Sequence, residues 1–187
     1  MTEILDPQEG EVICDPTCGS GGFLIKAFEY MREKIEQDIK DAKDKLRESL
    51  EGDDFDFKSE KEQSEINEKI DAMQTALNTE LDTSVENSRM YYLSRNCIYG
   101  TDANPRMART SKMNMIMHGD GHGGVHHHDG LLNVNGIFEE RFDVILTNPP
   151  FGQNVDKNQR ISEADKFTDE EMKKNIKRNM VLLMMRH

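Results

Sequence analysis

Long hydrophobic runs are the first thing missing from this sequence. No stretch approaches the ~20 apolar residues that cross a bilayer, so no membrane partner is expected. The opening residues, MTEILDPQEGEVIC, have neither a basic start nor a long apolar core. No secretory leader is expected from that pattern, and the cytoplasm is the expected compartment. Cysteine is scarce: Cys14, Cys18 and Cys97 are odd in number and lack C-x-x-C spacing. Buried, reduced thiols are expected in place of a disulfide framework. His126, His127 and His128 stand in a row, so on a strand their side chains would alternate between faces. A metal needs converging ligands, and none is expected to bind here.

Net positive charge is missing too. The 187 residues carry a formal charge of −12, which argues against a nucleic-acid partner until its distribution is read. Residues 32–88 hold eighteen acidic and nine basic groups, whereas residues 89–187 hold twelve and fourteen. The acidity is thus concentrated in one segment, and a locally basic surface elsewhere stays open.

What is present alternates. EVICDP (11–16) reads as a short strand and TCGSGG (17–22) as a tight turn. A helix is expected from Phe23 to Leu50, with Phe28, Met31, Ile35, Ile39, Ala42, Leu46 and Leu50 at steps of three and four. EGDDFDF (51–57) breaks it. A second periodic stretch runs through Ile66, Ile70, Met73, Leu77, Leu81 and Val85, completing an acidic helical hairpin over about residues 32–88. NCIYGTD (96–102) is the next strand. The following helix, within 103–119, has Asn104 as N-cap and Pro105 at its first position. Its expected buried face is Met107, Ser111, Met115 and His118, with the methionines as core filler. VHHHDG (125–130) is a weak strand, and RFDVILTNPPFG (141–152) is a buried strand with its exit. This order implies an α/β fold with a doubly wound, mostly parallel sheet. DPTCGSGG, GTDANP, HHDG and NPPF all fall at strand C-termini, where such sheets bind ligands.

The glycine turn brings backbone close to a ligand at a helix N-terminus. It fits neither G-x-G-x-x-G, since position 24 is Leu, nor a phosphate loop, since no Gly-Lys-Ser/Thr follows. A nicotinamide oxidoreductase is therefore disfavoured. Asp102 suits a ribose diol, because a carboxylate accepts from both hydroxyls. In NPPF, Asn148 and Pro149 both precede prolines and are held extended. The Asn148 side-chain oxygen and the Pro149 carbonyl can accept from one NH₂ group, and Phe151 offers a flat apolar face. Two acceptors beside an aromatic ring fit a planar ring with an exocyclic amine, adenine above all. Accepting both hydrogens favours a tetrahedral nitrogen with its lone pair exposed to an electrophile.

DPTCGSGGFL followed by NPPFG resembles S-adenosylmethionine-dependent DNA adenine-N6 methyltransferases. The wording ICDPTCGSGGFL, YGTDANP…MNMIMHG and FDVILTNPPFG is most similar to the methylation subunit of type I restriction–modification systems. The likeness covers about residues 5–31 and 95–153. It implies S-adenosylmethionine as cofactor, with its methionine part on Asp15, Pro16, Thr17, Gly19, Ser20, Gly21 and Gly22. It gives Asp102 to the ribose and Asp129 to the cofactor's adenine amine. Asn148, Pro149, Pro150 and Phe151 would hold a target adenine flipped out of double-stranded DNA. Specificity and restriction subunits are the implied partners, and self-association is a further expectation. The expected organisation is a methyltransferase core over 1–153, then a polar, partly helical tail over 154–187 with a capping box at Thr168-Asp169-Glu170-Glu171. The family has a helical domain before the first strand and further strands after NPPF, so an incomplete, Rossmann-like sheet is expected. Two other functions fit the residues: a methyltransferase acting on a protein glutamine or RNA, and a cofactor-binding scaffold without turnover.

Overall fold

The computed structural model describes residues 1–52, 54–121, 123–130 and 142–149. In chain order the elements are α1 (Thr2–Leu5), β1 (Ile13–Asp15), α2 (Gly22–Glu51), α3 (Glu60–Thr79), α4 (Arg89–Asn96), β2 (Ile98–Asp102), α5 (Pro105–Met117), β3 (Val125–His127) and β4 (Val144–Ile145). Among the described residues, four strands form one sheet in the order β3-β2-β1-β4. Every pairing is parallel: Ile13 opposes Ile98 and Val144, and Gly100 opposes Val125. The chain moves outward from β1 to β2 to β3, then reverses to place β4 on the other side of β1. That is the opening of a doubly wound sheet, and the reversal lies between β1 and β4.

α2 supplies much of the core. Its buried residues are Leu24, Ala27, Phe28, Met31, Ile35 and Ile39, one stripe at helical spacing. They join Ile13, Ile98, Leu93, Met115, Val125 and Leu146 in a single cluster. Ala42, Leu46 and Leu50 continue the stripe in sequence but are only half-buried. The hairpin expected over residues 32–88 is therefore of two kinds. Its first turns, through Ile39, are core, and its far part is a two-helix projection of α2 and α3.

α3 starts with a capping box: the Ser59 hydroxyl accepts from the Glu62 N–H, and Glu62 Oε2 accepts from the Ser59 N–H. It ends at Thr79, short of the expected Val85. Leu81 reaches the core from a turn. The sequence reading missed α4, an eight-residue helix whose N-cap Ser88 accepts from the Tyr91 N–H at 3.0 Å. Its Met90 and Leu93 are buried. Two turns are too short to show a period beside the longer pattern before them. Arg89 fastens this corner: its guanidinium donates to Glu9 at 2.8 Å and to Asp38 at 3.0 Å, while its backbone N–H donates to Glu80 at 3.0 Å.

α5 has the expected cap, with the Asn104 side chain accepting from the Arg106 N–H at 2.9 Å and Pro105 at the first position. Its buried face is Ala108, Ser111 and Met115; Met107 and His118 are exposed, against expectation. The methionines are not all filler either, because Met113 and Met117 are exposed while Met115 is enclosed. The three cysteines are buried and unpaired, and burial pushes the Cys14 thiol up to about 12 and the Cys18 thiol up to about 11. No helix among the described residues is long and apolar enough to cross a membrane. Pro150, Phe151 and the tail over 154–187, with its expected capping box at Thr168–Glu171, lie outside the described residues.

Candidate ligand site at the strand ends

The C-terminal ends of the four strands carry the residues that the sequence singled out. β1 ends at Asp15, which is 1% exposed. Its Oδ1 accepts from the Thr17 N–H at 3.0 Å and folds the chain into the turn. Burial raises the Asp15 carboxyl above the usual carboxylate range, the Thr17 amide and Thr147 hydroxyl pull it back, and the nearby Asp102 charge raises it further.

The turn itself is held from three sides. Cys18 N–H donates to the Thr101 carbonyl at 2.8 Å, and Asn114 Nδ2 donates to the Ser20 carbonyl at 3.0 Å. Gly19 N–H donates to Asp102 Oδ2 at 2.9 Å. Gly21 has φ +89°, and a Cβ there would lie 2.5 Å from Ser111 Oγ, so both backbone shape and space demand glycine. Gly21 is also the N-cap of α2 and gives it no side-chain acceptor. The first N–H groups of a long helix thus begin beside the turn, an arrangement that favours a negative group.

Asp102 ends β2. Oδ2 takes the Gly19 N–H, and Oδ1 takes the Asn104 N–H at 2.8 Å. Each oxygen keeps a second lone pair, so the carboxylate is fixed in place and can still accept from a ligand hydroxyl. The β3 end is tied to it, since His128 N–H donates to the Asp102 carbonyl at 3.1 Å. Asp129 follows, half-buried, and then Gly130. A Cβ at Gly130 would stand 2.1 Å from the Pro16 carbonyl oxygen and 2.4 Å from Thr101 Oγ1. The β3 exit therefore lies directly against the glycine turn.

β4 delivers the fourth group. Leu146 N–H donates to the Cys14 carbonyl at 3.0 Å, which carries the parallel pairing one residue beyond the strand. Thr147 Oγ1 then meets Thr17 Oγ1 at 2.7 Å. Asn148 and Pro149 follow, exposed. The structure thus gathers Asp15, Pro16, Thr17, Gly19, Ser20, Gly21, Gly22, Asp102, Asp129, Asn148 and Pro149 at one end of the sheet. Pro150 and Phe151 lie outside the described residues. The histidine row does not converge: His127 Nε2 meets the Ala103 carbonyl at 3.1 Å, and His128 Nδ1 meets the Asp129 carbonyl at 2.9 Å.

Sequence reasoning passed over Thr101, Gly130 and Thr147. Thr147 immediately precedes the Asn-Pro-Pro motif, Gly130 follows the acid just beyond β3, and Thr101 lies within GTDANP beside Asp102. Position in or beside a motif was the available signal for all three, but none of these strings names a partner: the Thr101 donation to the Pro16 carbonyl at 2.9 Å spans 85 residues of sequence.

Fold and site together define a class: a doubly wound α/β domain with a glycine turn after β1, an acid ending β2, another just beyond β3, and an Asn-Pro exit beyond β4. The chain belongs to the N-6 DNA Methylase family, whose model matches residues 1–187. It is similar to the type I restriction enzyme EcoEI methylase subunit of Escherichia coli, at 28% identity over 153 residues, covering 81% of this chain and 21% of that protein. It is likewise similar to the type I restriction enzyme StySPI methylase subunit of Salmonella potsdam, at 26% over 156 residues, with 81% and 21% covered. A chain from a structural study of complex assembly and conformational transition in the type I R-M system superposes with a TM-score of 0.50 at 25% identity, covering 84% of this chain and 22% of that one. The chain thus spans about a fifth of the length of the curated relatives it matches.

Proposed function

We propose that this chain carries the cofactor turn and the target-amine motif of a type I DNA adenine-N6 methyltransferase that uses S-adenosylmethionine. The observation that carries the reading is the meeting of the two motifs at the sheet's reversal, where Thr17 touches Thr147 at 2.7 Å. A donor held on the turn and an acceptor held by Asn148 would then be neighbours. Family membership supports the same chemistry.

The residues present suit the cofactor. The α2 N-terminus and the side-chain-free Gly21 suit its carboxylate end, and Asp102 suits its ribose hydroxyls. Asp129 suits an amine, and Asp15, Pro16, Thr17, Gly19, Ser20 and Gly22 complete the cradle. When bound, S-adenosylmethionine supplies an electrophilic methyl group on a sulfonium. Asn148 and the Pro149 carbonyl would accept hydrogen bonds from the two N–H groups of the target amine, which favours a tetrahedral nitrogen with its lone pair free of the ring. Pro150 keeps Pro149 extended, and Phe151 stacks on the flipped base.

In this reading double-stranded DNA is the substrate, specificity and restriction subunits are partners, self-association is open to the chain, and the compartment is the cytoplasm. The names of the relatives, methylase subunits of type I restriction enzymes, support assembly with other subunits.

The test is transfer of radiolabelled methyl from S-adenosylmethionine to adenine-containing duplex DNA, with a protein substrate and RNA alongside. Asn148→Ala should lose ~10²–10³ in rate with cofactor affinity nearly unchanged. Labelling of protein or RNA in preference to DNA would sink the reading, as would full turnover by Asn148→Ala.

A further inference from the structure

The hydroxyls of Thr17 and Thr147 meet where the sheet reverses. Thr17 belongs to the glycine turn after β1; Thr147 belongs to the β4 exit, one residue before Asn148. Their hydroxyl oxygens are 2.7 Å apart although 130 residues separate them in sequence. Asp15 is 1% exposed and accepts from the Thr17 N–H at 3.0 Å.

Either hydroxyl can be the donor of this contact. A contact of this kind fixes the χ1 angle of Thr147, which is already stiff because the residue is β-branched. It thereby fixes the backbone that leads into Asn148. The ladder bond from Leu146 N–H to the Cys14 carbonyl at 3.0 Å fixes the other side.

We propose that Thr147 is a positioning residue, which acts through Thr17 to set the register of Asn148 against the glycine turn. The proposal rests on the reading of the turn as donor site and Asn148 as acceptor site. Thr147 touches neither reactant in this account; it makes the distance between the two sites a fixed property of the fold. A rate that depends on near-attack geometry is sensitive to that distance.

Two measurements test it in the full chain, one of them independent of catalysis. The first substitutes Thr17 and reads the backbone of the β4 exit. Thr17→Val should speed hydrogen exchange at the Leu146 amide, which bonds the Cys14 carbonyl, about tenfold, the equivalent of one lost hydrogen bond, and Thr17→Ser should leave exchange close to wild type. Unchanged exchange in Thr17→Val overturns the proposal whether or not the protein transfers methyl groups. The second uses methyl transfer to adenine-containing duplex DNA at saturating cofactor. Thr147→Val should lower kcat about tenfold or more while S-adenosylmethionine affinity stays within about twofold, and Thr147→Ser should restore most of kcat. Equal losses in the Val and Ser variants, or a loss confined to cofactor affinity, would overturn it. No methyl transfer by the wild type, with Thr17→Val still speeding exchange at Leu146, would refute the methyltransferase reading and leave the coupling standing.

Discussion

The two halves of α2 are one helix with two different reasons to exist. From Gly22 to Ile39 it buries six side chains against the sheet, so tertiary packing holds it. From Lys40 to Glu51 no residue is fully buried. The far half is sustained by its apposition to α3 and by local pairs such as Arg47 with Glu51 at 2.8 Å. Such exposed pairs contribute little, about 0.3–0.5 kcal/mol each. A continuous hydrophobic period therefore ran across a boundary between core and projection. The site sits at the packed end, and the excess of acidic charge at the other, away from any phosphate bound at the strand ends.

The sharpest way to break that contrast is to truncate one residue from each half. Ile35 is fully enclosed, so Ile35→Ala should destabilise the protein by about 2–5 kcal/mol. Leu46 is half-buried on the same stripe, and Leu46→Ala should cost less than about 1 kcal/mol. Denaturant unfolding of both variants decides it. Equal losses would mean that the projection is as much core as the sheet-facing turns.

A second contrast sets the site's close packing against open loop. Gly130→Ala drives a methyl group into the Pro16 carbonyl, a backbone atom that has no rotamer to yield. Overpacking of this kind costs about 1–3 kcal/mol. The cost should appear as weaker binding of S-adenosylhomocysteine in calorimetry, because the atoms displaced belong to the turn. Gly121→Ala meets only an ordinary 3.5 Å contact with Ser94 Oγ and should leave binding unchanged. Matching affinities in the two variants would remove Gly130 from the site.

Most of the site was legible as short strings, because DPTCGSGG and NPPF combine residue types that ordinary turns do not need. α2 was legible almost to the residue, expected from Phe23 to Leu50 and found from Gly22 to Glu51. What escaped was tertiary. β4 spans Val144–Ile145, with one further bond from Leu146, within the five-residue stretch 142–146, because pairing depends on a neighbour that the stretch does not name. The Thr17–Thr147 contact, the Thr101 bond to Pro16 and the fit of Gly130 all join distant positions. Periodicity reports burial along one element, so it missed Ala108 and favoured the exposed Met107 on α5. It is silent about which loop meets which.

A smaller effect separates the hairpin from the site. Ser59→Ala removes the capping box of α3 and should cost about 1 kcal/mol. The loss should be local: faster amide exchange in the first turn of α3, with unaltered exchange in the glycine turn. If the glycine turn loosened as well, the projection and the site would form one cooperative unit.

The smallest expected effect concerns two acids nine residues apart, whose environments oppose each other. Asp6 lies on the surface, where Oδ1 accepts from the Tyr30 hydroxyl at 2.6 Å and from Lys34 Nζ at 2.9 Å. The Lys34 and then the Tyr30 hydrogen bonds lower its pKa from 3.8 to about 2. A depressed folded-state pKa adds stability above the unfolded value, and this is lost as pH falls through the folded value. The Asp6 contribution should therefore fade between about pH 4 and pH 2, and salt should weaken it because the pair is exposed. Asp15 has the opposite sign. Its pKa is raised, chiefly by burial, so its contribution is full below the unfolded value and lost as pH rises through the folded one. In the acid limb Asp6 and Asp15 thus pull stability in opposite directions. Asp6→Asn should flatten the loss of stability below pH 4 and leave cofactor binding untouched, since Asp6 ties α1 to the outer face of α2. A carboxyl titration followed by NMR reads both groups at once. An Asp6 midpoint near 4 would show that the Lys34 and Tyr30 contacts are not held in solution, and that α1 is not fastened to the packed half of α2 by this pair.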